Sequence, residues 1–235
     1  MNLKDTLQKQ GGIGLLKQYW RGGAFFTGIG ELILLGKRRT ALEILRLSAT
    51  FKTKKKLEKK YGWKLEEFDN NYVEEKHVLS NKIWICWFQG MEKAPETFPD
   101  FILDKWKRGI ITPTHMTDLL RLELLIRHGG LWLDSTVFCT GKAPDYFFNS
   151  DLFFFQSLKP GRDGHANYIS SWLLEAKTNN KILMATRELC YEYWKRNDSM
   201  WDYFLLHDFM SIVLDKYIDD WKNIIPRDNA TPHIL

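Results

Sequence analysis

The chain has 235 residues, of which 44% are hydrophobic and 14% aromatic, and it contains 10 tryptophans. This composition excludes a disordered chain and predicts one globular domain, or one domain with a small extension. The 34 Lys and Arg residues outnumber the 29 Asp and Glu residues, which gives a formal net charge of +5. A basic balance favours an anionic partner, and nucleotide diphosphates, anionic lipid and nucleic acid all qualify.

The three cysteines are widely spaced, and no Cys/His ligand spacing surrounds them, which argues against a zinc site or a disulfide framework. The N-terminus lacks the basic-then-apolar order of a signal peptide. The longest early apolar run, from Ala24 to Leu35, contains Glu31 and is shorter than the about 20 apolar residues that cross a bilayer. We therefore expect a cytosolic protein with reduced thiols.

Residues 1–78 are rich in lysine and predict a basic α-helical N-terminal extension. The basic runs 37–39 and 52–56 bracket a helical pattern with one apolar face. That face consists of Leu42, Leu45, Ala49 and Leu57. Two interpretations remain open: a solvated helical hairpin packed on the rest of the chain, or an element that attaches to anionic lipid through its lysines.

From Lys82 onwards strand patterns alternate with helical ones. Buried strands are predicted at 82–88, 131–138 and 152–156, the first of them buried on both faces. Helices are predicted at 99–107, 115–128, 169–177, 181–196 and 201–217. This alternation predicts an α/β fold with a mainly parallel central sheet, over a domain of residues 79–235.

The helix at 115–128 is apolar on most sides, which is typical of a buried helix, yet it contains Asp118 and Arg121. Buried charges are costly unless they are paired or serve a function. An ion pair between positions i and i+3 that serves only structure is the simpler interpretation from spacing alone.

The strand that follows carries Asp134 close to its carboxyl end. Side chains alternate along a strand, so Trp132, Asp134 and Thr136 share one face. Ligands bind at the carboxyl ends of strands in open α/β sheets, and a carboxylate there can hold a divalent cation with a nearby hydroxyl as a weak second ligand. An aspartate that caps the following loop is the alternative.

These residues also carry a resemblance. Asp118-Leu119-Leu120-Arg121, the Gly129-Gly130 break and the run 131–136 resemble the SD-x-x-R … GG-x-[YW]-x-D-x-D signature of GT-A-fold glycosyltransferases. The entry strand at 83–90 and the run 159–165 are similar to bacterial capsular polysaccharide synthesis glycosyltransferases. These are relatives of the family that holds yeast initiating mannosyltransferases and large clostridial toxin domains.

The resemblance implies roles for individual residues. Asp134 matches the first acid of the metal and diphosphate motif, and Asp118 and Arg121 match an acid and a base that contact the donor sugar and its phosphates. Trp87, with Gln89 beside it, is similar to residues that line the nucleotide base. Residues 170–172 fall where relatives place polar groups on the donor or acceptor side. Ser170 and Ser171 carry hydroxyls and are therefore expected to supply these groups.

Two departures from the pattern bear on these roles. The second acid of the motif is replaced by Thr136, so the metal ligands would be Asp134, Thr136 and a residue from elsewhere, with His233 or the His207-Asp208 pair as candidates. Compared with the family pattern, an internal segment near residues 95–98 and a C-terminal tail are missing.

The resemblance therefore implies a GT-A-like nucleotide-diphospho-sugar transferase fold and a hexosyltransferase that retains anomeric configuration. A UDP-linked donor, a divalent metal (Mn²⁺ or Mg²⁺) and a lipid-linked capsular or exopolysaccharide acceptor are expected. The expected location is cytoplasmic, peripheral at the inner face of the plasma membrane. The alternative is a non-catalytic module that binds a sugar nucleotide or glycan. Nucleic-acid binding is disfavoured because the basic residues are not interleaved with a stacking sheet or a helix-turn-helix pattern.

Overall fold

The computed structural model describes residues 12–34, 39–86, 98–157 and 168–233. Four helices come first: α1 (Gly12–Gly22), α2 (Phe25–Leu34), α3 (Arg39–Tyr61) and α4 (Trp63–Asn71). They are followed by β1 (Ile83–Ile85), α5 (Asp100–Lys107), α6 (Pro113–His128), β2 (Gly130–Leu133), a 3₁₀ turn (Asp145–Phe148), β3 (Leu152–Gln156) and β4 (Ile169–Ala176). The C-terminal part contains α7 (Lys181–Arg196), α8 (Leu205–Lys216), α9 (Ile218–Lys222) and a 3₁₀ turn at Thr231–His233.

The sheet formed by the described strands has the order β1-β2-β4-β3. Only β1 and β2 run parallel, whereas β4 is antiparallel to both of its neighbours. The prediction of a mainly parallel sheet is therefore wrong. The error arises at residues 169–177, for which the sequence predicts a helix and which instead form β4, because pairing on both sides overrides the helix propensity of its Leu-Leu-Glu-Ala end.

The entry strand differs from its prediction as well. It is shorter than 82–88 within the described residues, and it lies at the edge of the described sheet. Ile83 and Ile85 are 62% and 63% exposed, so this strand is not buried on both faces. Trp84, between them, packs against the main core and donates its indole N–H to the carbonyl of Gly129 at 2.8 Å.

Helix α6 matches its prediction because its end signals are local. Pro113 occupies the first turn, and the Thr112 hydroxyl accepts the amide of His115. Gly129 has a φ of 62° and donates its amide to the carbonyl of Leu125 at 2.9 Å. At Gly130, with a φ of 102°, a Cβ atom would lie 2.4 Å from the Lys82 carbonyl oxygen, so glycine permits the close approach of β1.

Apolar side chains pack on both faces of the sheet. On one face, Trp132 and Leu174 join the main core with α6, α7 and α8. The other face has a smaller cluster, consisting of Leu131, Leu133, Phe147, Phe153, Phe155 and Leu173. Alternation along β2 divides Trp132 from Leu131 and Leu133 as expected. The strand nevertheless ends at Leu133 and not at residue 138 as predicted, so Asp134 follows the strand and Thr136 lies in a turn.

Two of the N-terminal helices, α3 and α4, share the main core. Leu57 and Tyr61 of α3 and Leu65 and Phe68 of α4 are buried in it, and the Tyr61 ring lies 5.6 Å from the ring of Tyr193. No helix in the described ranges has both the length and the apolar character needed to span a membrane.

Candidate functional site

Arg121 is the centre of a polar cluster between α6 and the sheet. Its Nη1 donates to the Ser171 carbonyl oxygen of β4 at 2.7 Å, and its Nη2 donates to Oδ1 of Asp134 at 3.1 Å. Nη2 also lies 3.4 Å from Oδ1 of Asp118, one turn earlier in the same helix. The guanidinium is buried and lies over the Trp132 ring, with 5.1 Å from Cζ to the ring centroid. Arg121 therefore joins the helix, β2 and β4.

Asp134 follows the last residue of β2 and is held at one of its two carboxylate oxygens. Oδ1 accepts from Arg121 and, at 2.9 Å, from the indole N–H of Trp132. Oδ2 has no hydrogen-bond partner among the described residues, and the side chain is 37% exposed. The backbone is fixed too, because its amide donates to the Trp172 carbonyl at 2.8 Å. One oxygen is thus oriented by the protein while the other remains available to a ligand.

Asp118 lies deeper than Asp134. Burial raises the pKa of its carboxyl above the usual value, the charge of Arg121 opposes this rise, and the charge of Asp134 adds to it. His115 is buried one turn earlier, and burial lowers its pKa, so a neutral imidazole is favoured beside Asp118. Its Nδ1 lies 2.7 Å from the Thr112 hydroxyl oxygen. Asp118 and His115 therefore support Arg121 from the buried side of the cluster and are not open to solvent.

The structure brings together some of the residues that the sequence singled out. Asp118, Arg121 and Asp134 are in contact, as described above. Ser171 joins them through its backbone carbonyl, and both Ser170 and Ser171 are buried on a strand rather than exposed on a helix. Thr136 is exposed in the turn after β2, where the Val137 amide donates to the Asp134 carbonyl at 3.0 Å.

The remaining predicted residues cannot be assigned to this cluster. Trp87 and Gln89 lie outside the described residues, as does the side chain of His233. Asp208 is buried within α8, and His207 beside it is half-buried.

Two tryptophans make hydrogen bonds that the sequence pattern does not predict. Trp132 supplies both a ring under Arg121 and a hydrogen bond to Asp134, and its spacing of two residues from Asp134 on a strand is the signal for this. Trp172 donates to the Asn229 side-chain oxygen at 2.7 Å and stacks on Phe155 at 5.2 Å. The Asn229 contact spans 57 positions, and no local pattern announces it.

A divalent cation fits this site only in a limited way. Within the described ranges, no group of three or more His, Cys, Asp or Glu side chains is arranged to hold a metal ion. Asp134 nevertheless offers one open carboxylate oxygen, and Mg²⁺-type ions often bind through one or two carboxylates plus substrate phosphates and water. Asp134 would therefore hold an ion together with a ligand's phosphates, not as part of a protein cage.

A polar cavity of about 640 Å³ lies at the other end of the sheet, where β2 and β3 begin and β4 ends. Its lining includes Asp151, Asn180, Lys181 and Asn223. It shares no residue with the cluster around Arg121.

These features define a mixed α/β protein with an oriented carboxylate at the end of a central strand. The family model of capsular polysaccharide synthesis proteins matches residues 39–97 and 96–235. Since this match covers more than half of the chain, the chain belongs to the capsular polysaccharide synthesis protein family. Neither the curated proteins nor the solved structures gave a match.

Proposed function

We propose that this protein is a glycosyltransferase that moves a sugar from a nucleotide-sugar donor to a growing capsular or exopolysaccharide oligosaccharide. The observation that carries the proposal is the state of Asp134: one oxygen is fixed by Arg121 and Trp132, and the other is open at the end of β2. Family membership supports a biosynthetic role in making the capsule polymer. The proposed donor is UDP-linked, and the proposed acceptor is lipid-linked at the cytoplasmic face of the membrane.

The burial of each residue suggests how the work is divided. Asp134 is the catalytic residue of the proposal, because its free oxygen would hold a divalent ion that also binds the donor's phosphates. Arg121 and Asp118 are positioning residues, since both are buried and bonded to protein groups. A divalent ion, when bound, would supply positive charge to the departing nucleoside diphosphate.

The network is already arranged before the reaction begins. Asp134 is held by two donors, and Arg121 is itself held by the Ser171 carbonyl and by Asp118. Groups that are fixed in advance stabilise developing charge without a reorganisation cost. The buried guanidinium also adds a positive field behind the carboxylate, which favours anionic phosphates nearby. A GT-A-type fold and retention of anomeric configuration are part of this proposal.

A non-catalytic module that binds a sugar nucleotide or glycan is the second candidate. It is favoured by Thr136, which replaces a carboxylate of the motif with an exposed hydroxyl. Such a module would bind nucleotide sugars without consuming them.

Thermal shift and transfer assays separate the two candidates. The purified chain is incubated with UDP-, GDP- and CMP-sugars, with and without Mn²⁺, and both stabilisation and donor consumption are measured. The transferase proposal expects stabilisation by one donor class and release of its nucleotide, which is UDP or GDP from the diphosphate donors and CMP from a CMP-sugar. Stabilisation without turnover on any acceptor indicates the binding module, and no stabilisation by any donor contradicts both. The anomeric configuration of the product, read by NMR, tests retention.

A further inference from the structure

Helix α2 has its polar face turned inwards and its apolar face turned outwards. Thr27 and Glu31, one turn apart, are buried against the neighbouring helices. Phe26, Ile29 and Ile33 have the spacing i, i+3, i+7 and lie on the opposite side, where Phe26 is 84% and Ile33 64% exposed. A surface helix in water normally has the reverse arrangement, so the surroundings of α2 are not expected to be purely aqueous.

The inward polar face is fully used in bonds within the N-terminal helices. Tyr19 donates to Oε1 of Glu31 at 2.8 Å, and Nε of Arg46 lies 3.5 Å from Oε2. The Thr27 hydroxyl accepts from the Lys52 ammonium at 2.9 Å. Rotation of α2 to bury its apolar side chains would break all three contacts, so the orientation of the helix is fixed by specific bonds.

The apolar surface continues from α2 onto α1. The rings of Trp20 and Phe25 are 5.2 Å apart, and those of Phe25 and Phe26 are 5.8 Å apart. Trp20 is mostly exposed. A cleft of about 380 Å³ lies beside these rings, with apolar walls formed by Leu16, Trp20 and Phe25 and with Lys17 and Arg21 at its edge.

Of the lysines of α3, Lys54 does not add to the surface charge, whereas Lys52, Lys55 and Lys56 are exposed. Lys54 is buried in an ion pair with Asp215 at 2.7 Å, and Lys56 bonds to the Arg21 carbonyl. Lys52 is held by Thr27, as described above. Lys17 beside the cleft and Lys55 over the Phe51 ring, at 4.6 Å, remain exposed next to apolar side chains.

We propose that α1 and α2 insert this apolar face, defined by Trp20, Phe26, Ile29 and Ile33, into the interfacial region of an anionic lipid bilayer. This inference rests on the membrane location given in the proposed function. It adds which surface contacts the bilayer and that burial of apolar side chains drives the contact. Aromatic and aliphatic side chains beside lysines are typical of helices that lie in the headgroup and acyl boundary. Helix α2 has 10 residues and is about 15 Å long, so it lies in the interface and does not cross the bilayer.

Vesicle flotation with the full chain tests the proposal. Three proteins are compared: wild type, the double variant Phe26→Ser/Ile33→Ser, and the matched control Val73→Ser/Ile218→Ser. Each is mixed with phosphatidylcholine vesicles or with anionic vesicles that contain about 30% phosphatidylglycerol. Both pairs replace exposed apolar side chains, so thermal melting should show that each variant remains folded. We expect the first pair to weaken binding at least tenfold and the control pair to leave it unchanged.

Salt distinguishes insertion from simple adsorption. Insertion predicts that substantial binding to the anionic vesicles persists in about 0.5 M salt, where surface attraction is screened to a few ångströms. Complete loss of binding in salt, equal binding by wild type and the α2 variant, or absence of binding overturns the proposal. Wild-type self-association that the α2 variant abolishes also overturns it, because a second copy would then cover the face. Donor turnover with a soluble acceptor is measured in parallel, so that failure of insertion and failure of the transferase proposal are separate results.

Discussion

The Nη2 atom of Arg121 lies 3.1 Å from the Oδ1 atom of Asp134, which connects a buried helix to the carboxyl end of a central strand. The contact leaves the second Asp134 oxygen open towards solvent and places the guanidinium behind it. Arg121 thereby has a structural role, and in the proposed function it also positions the catalytic carboxylate.

Replacing Asp134 by Asn tests the proposed ligand contact. Asn keeps an oxygen that can accept from Arg121 and Trp132, and the side chain is partly exposed, so we expect a folded protein that loses at most about 1–2 kcal/mol. Transfer should fall at least 100-fold because the free charged oxygen is gone. Asp104→Asn, which changes an exposed aspartate on α5, serves as the control. Wild-type turnover in Asp134→Asn would contradict the site assignment.

Arg121 should be sensitive to size as well as to charge. Removing a buried cation that serves two carboxylates leaves them unpaired, so Arg121→Ala is expected to cost roughly 3–5 kcal/mol in denaturant unfolding. Arg121→Lys keeps the charge but loses the planar fork that reaches the Ser171 carbonyl and Asp134 together, so it should bind nucleotide sugar poorly while remaining folded.

A double apolar variant, Asp118→Leu/Arg121→Leu, separates stability from activity. It leaves fewer unpaired charges than Arg121→Ala and should recover part of the lost stability. It should nevertheless be inactive, because Asp134 is no longer oriented. A stable double variant that still transfers sugar would show that this network is not part of the site.

The indole N–H of Trp132 offers a finer test. Trp132→Phe keeps an aromatic ring under Arg121 but removes the hydrogen bond to Asp134. The control is Trp84→Phe, which removes a comparable indole bond to Gly129 at the other end of β2. Each should cost about 0.5–1.5 kcal/mol in stability. Only Trp132→Phe should reduce turnover, and equal turnover in both variants would remove Trp132 from the proposal.

Glu175 predicts a pH dependence of stability away from the site. It is fully buried on β4, and neither carboxylate oxygen has a partner among the described residues. Burial raises its pKa to about 8, the charge of Lys177 opposes the rise and that of Asp151 adds to it. The folded protein therefore holds the proton more tightly than the unfolded chain, whose pKa is about 4.3.

The direction of the pH dependence follows from the linkage between proton binding and folding. The protonated Glu175 stabilises the folded state fully below about pH 4.3, and this stabilisation is lost as the pH rises towards 8. Each unit of pKa difference corresponds to about 1.4 kcal/mol, so the free energy of unfolding falls by at most about 5 kcal/mol over this range. Glu175→Gln cannot ionise and should flatten the decline in unfolding free energy between about pH 5 and 8. Glu188→Gln, at a partly exposed glutamate paired with Arg187, should leave the decline as in wild type. A parallel decline in Glu175→Gln would disprove the assignment.

Local signals in the sequence are enough to define the elements that carry the site. Thr112, Pro113 and Gly129 determine where α6 begins and ends, because caps and φ preferences act within a few residues. The period of a helix places Asp118 and Arg121 one turn apart, and the period of a strand places Trp132 beside Asp134. These relationships involve neighbours in sequence, so the sequence by itself predicts them.

Only the tertiary structure decides which groups these residues meet. The Ser171 carbonyl is 50 positions from Arg121, and it reaches the guanidinium only because residues 169–176 form a strand antiparallel to β2. Their local sequence is compatible with a helix, and pairing with β2 and β3 decides otherwise, since strand preference depends on neighbours across the sheet. The outward apolar face of α2 likewise follows from long-range bonds to Thr27 and Glu31, whereas the sequence shows only a short apolar run.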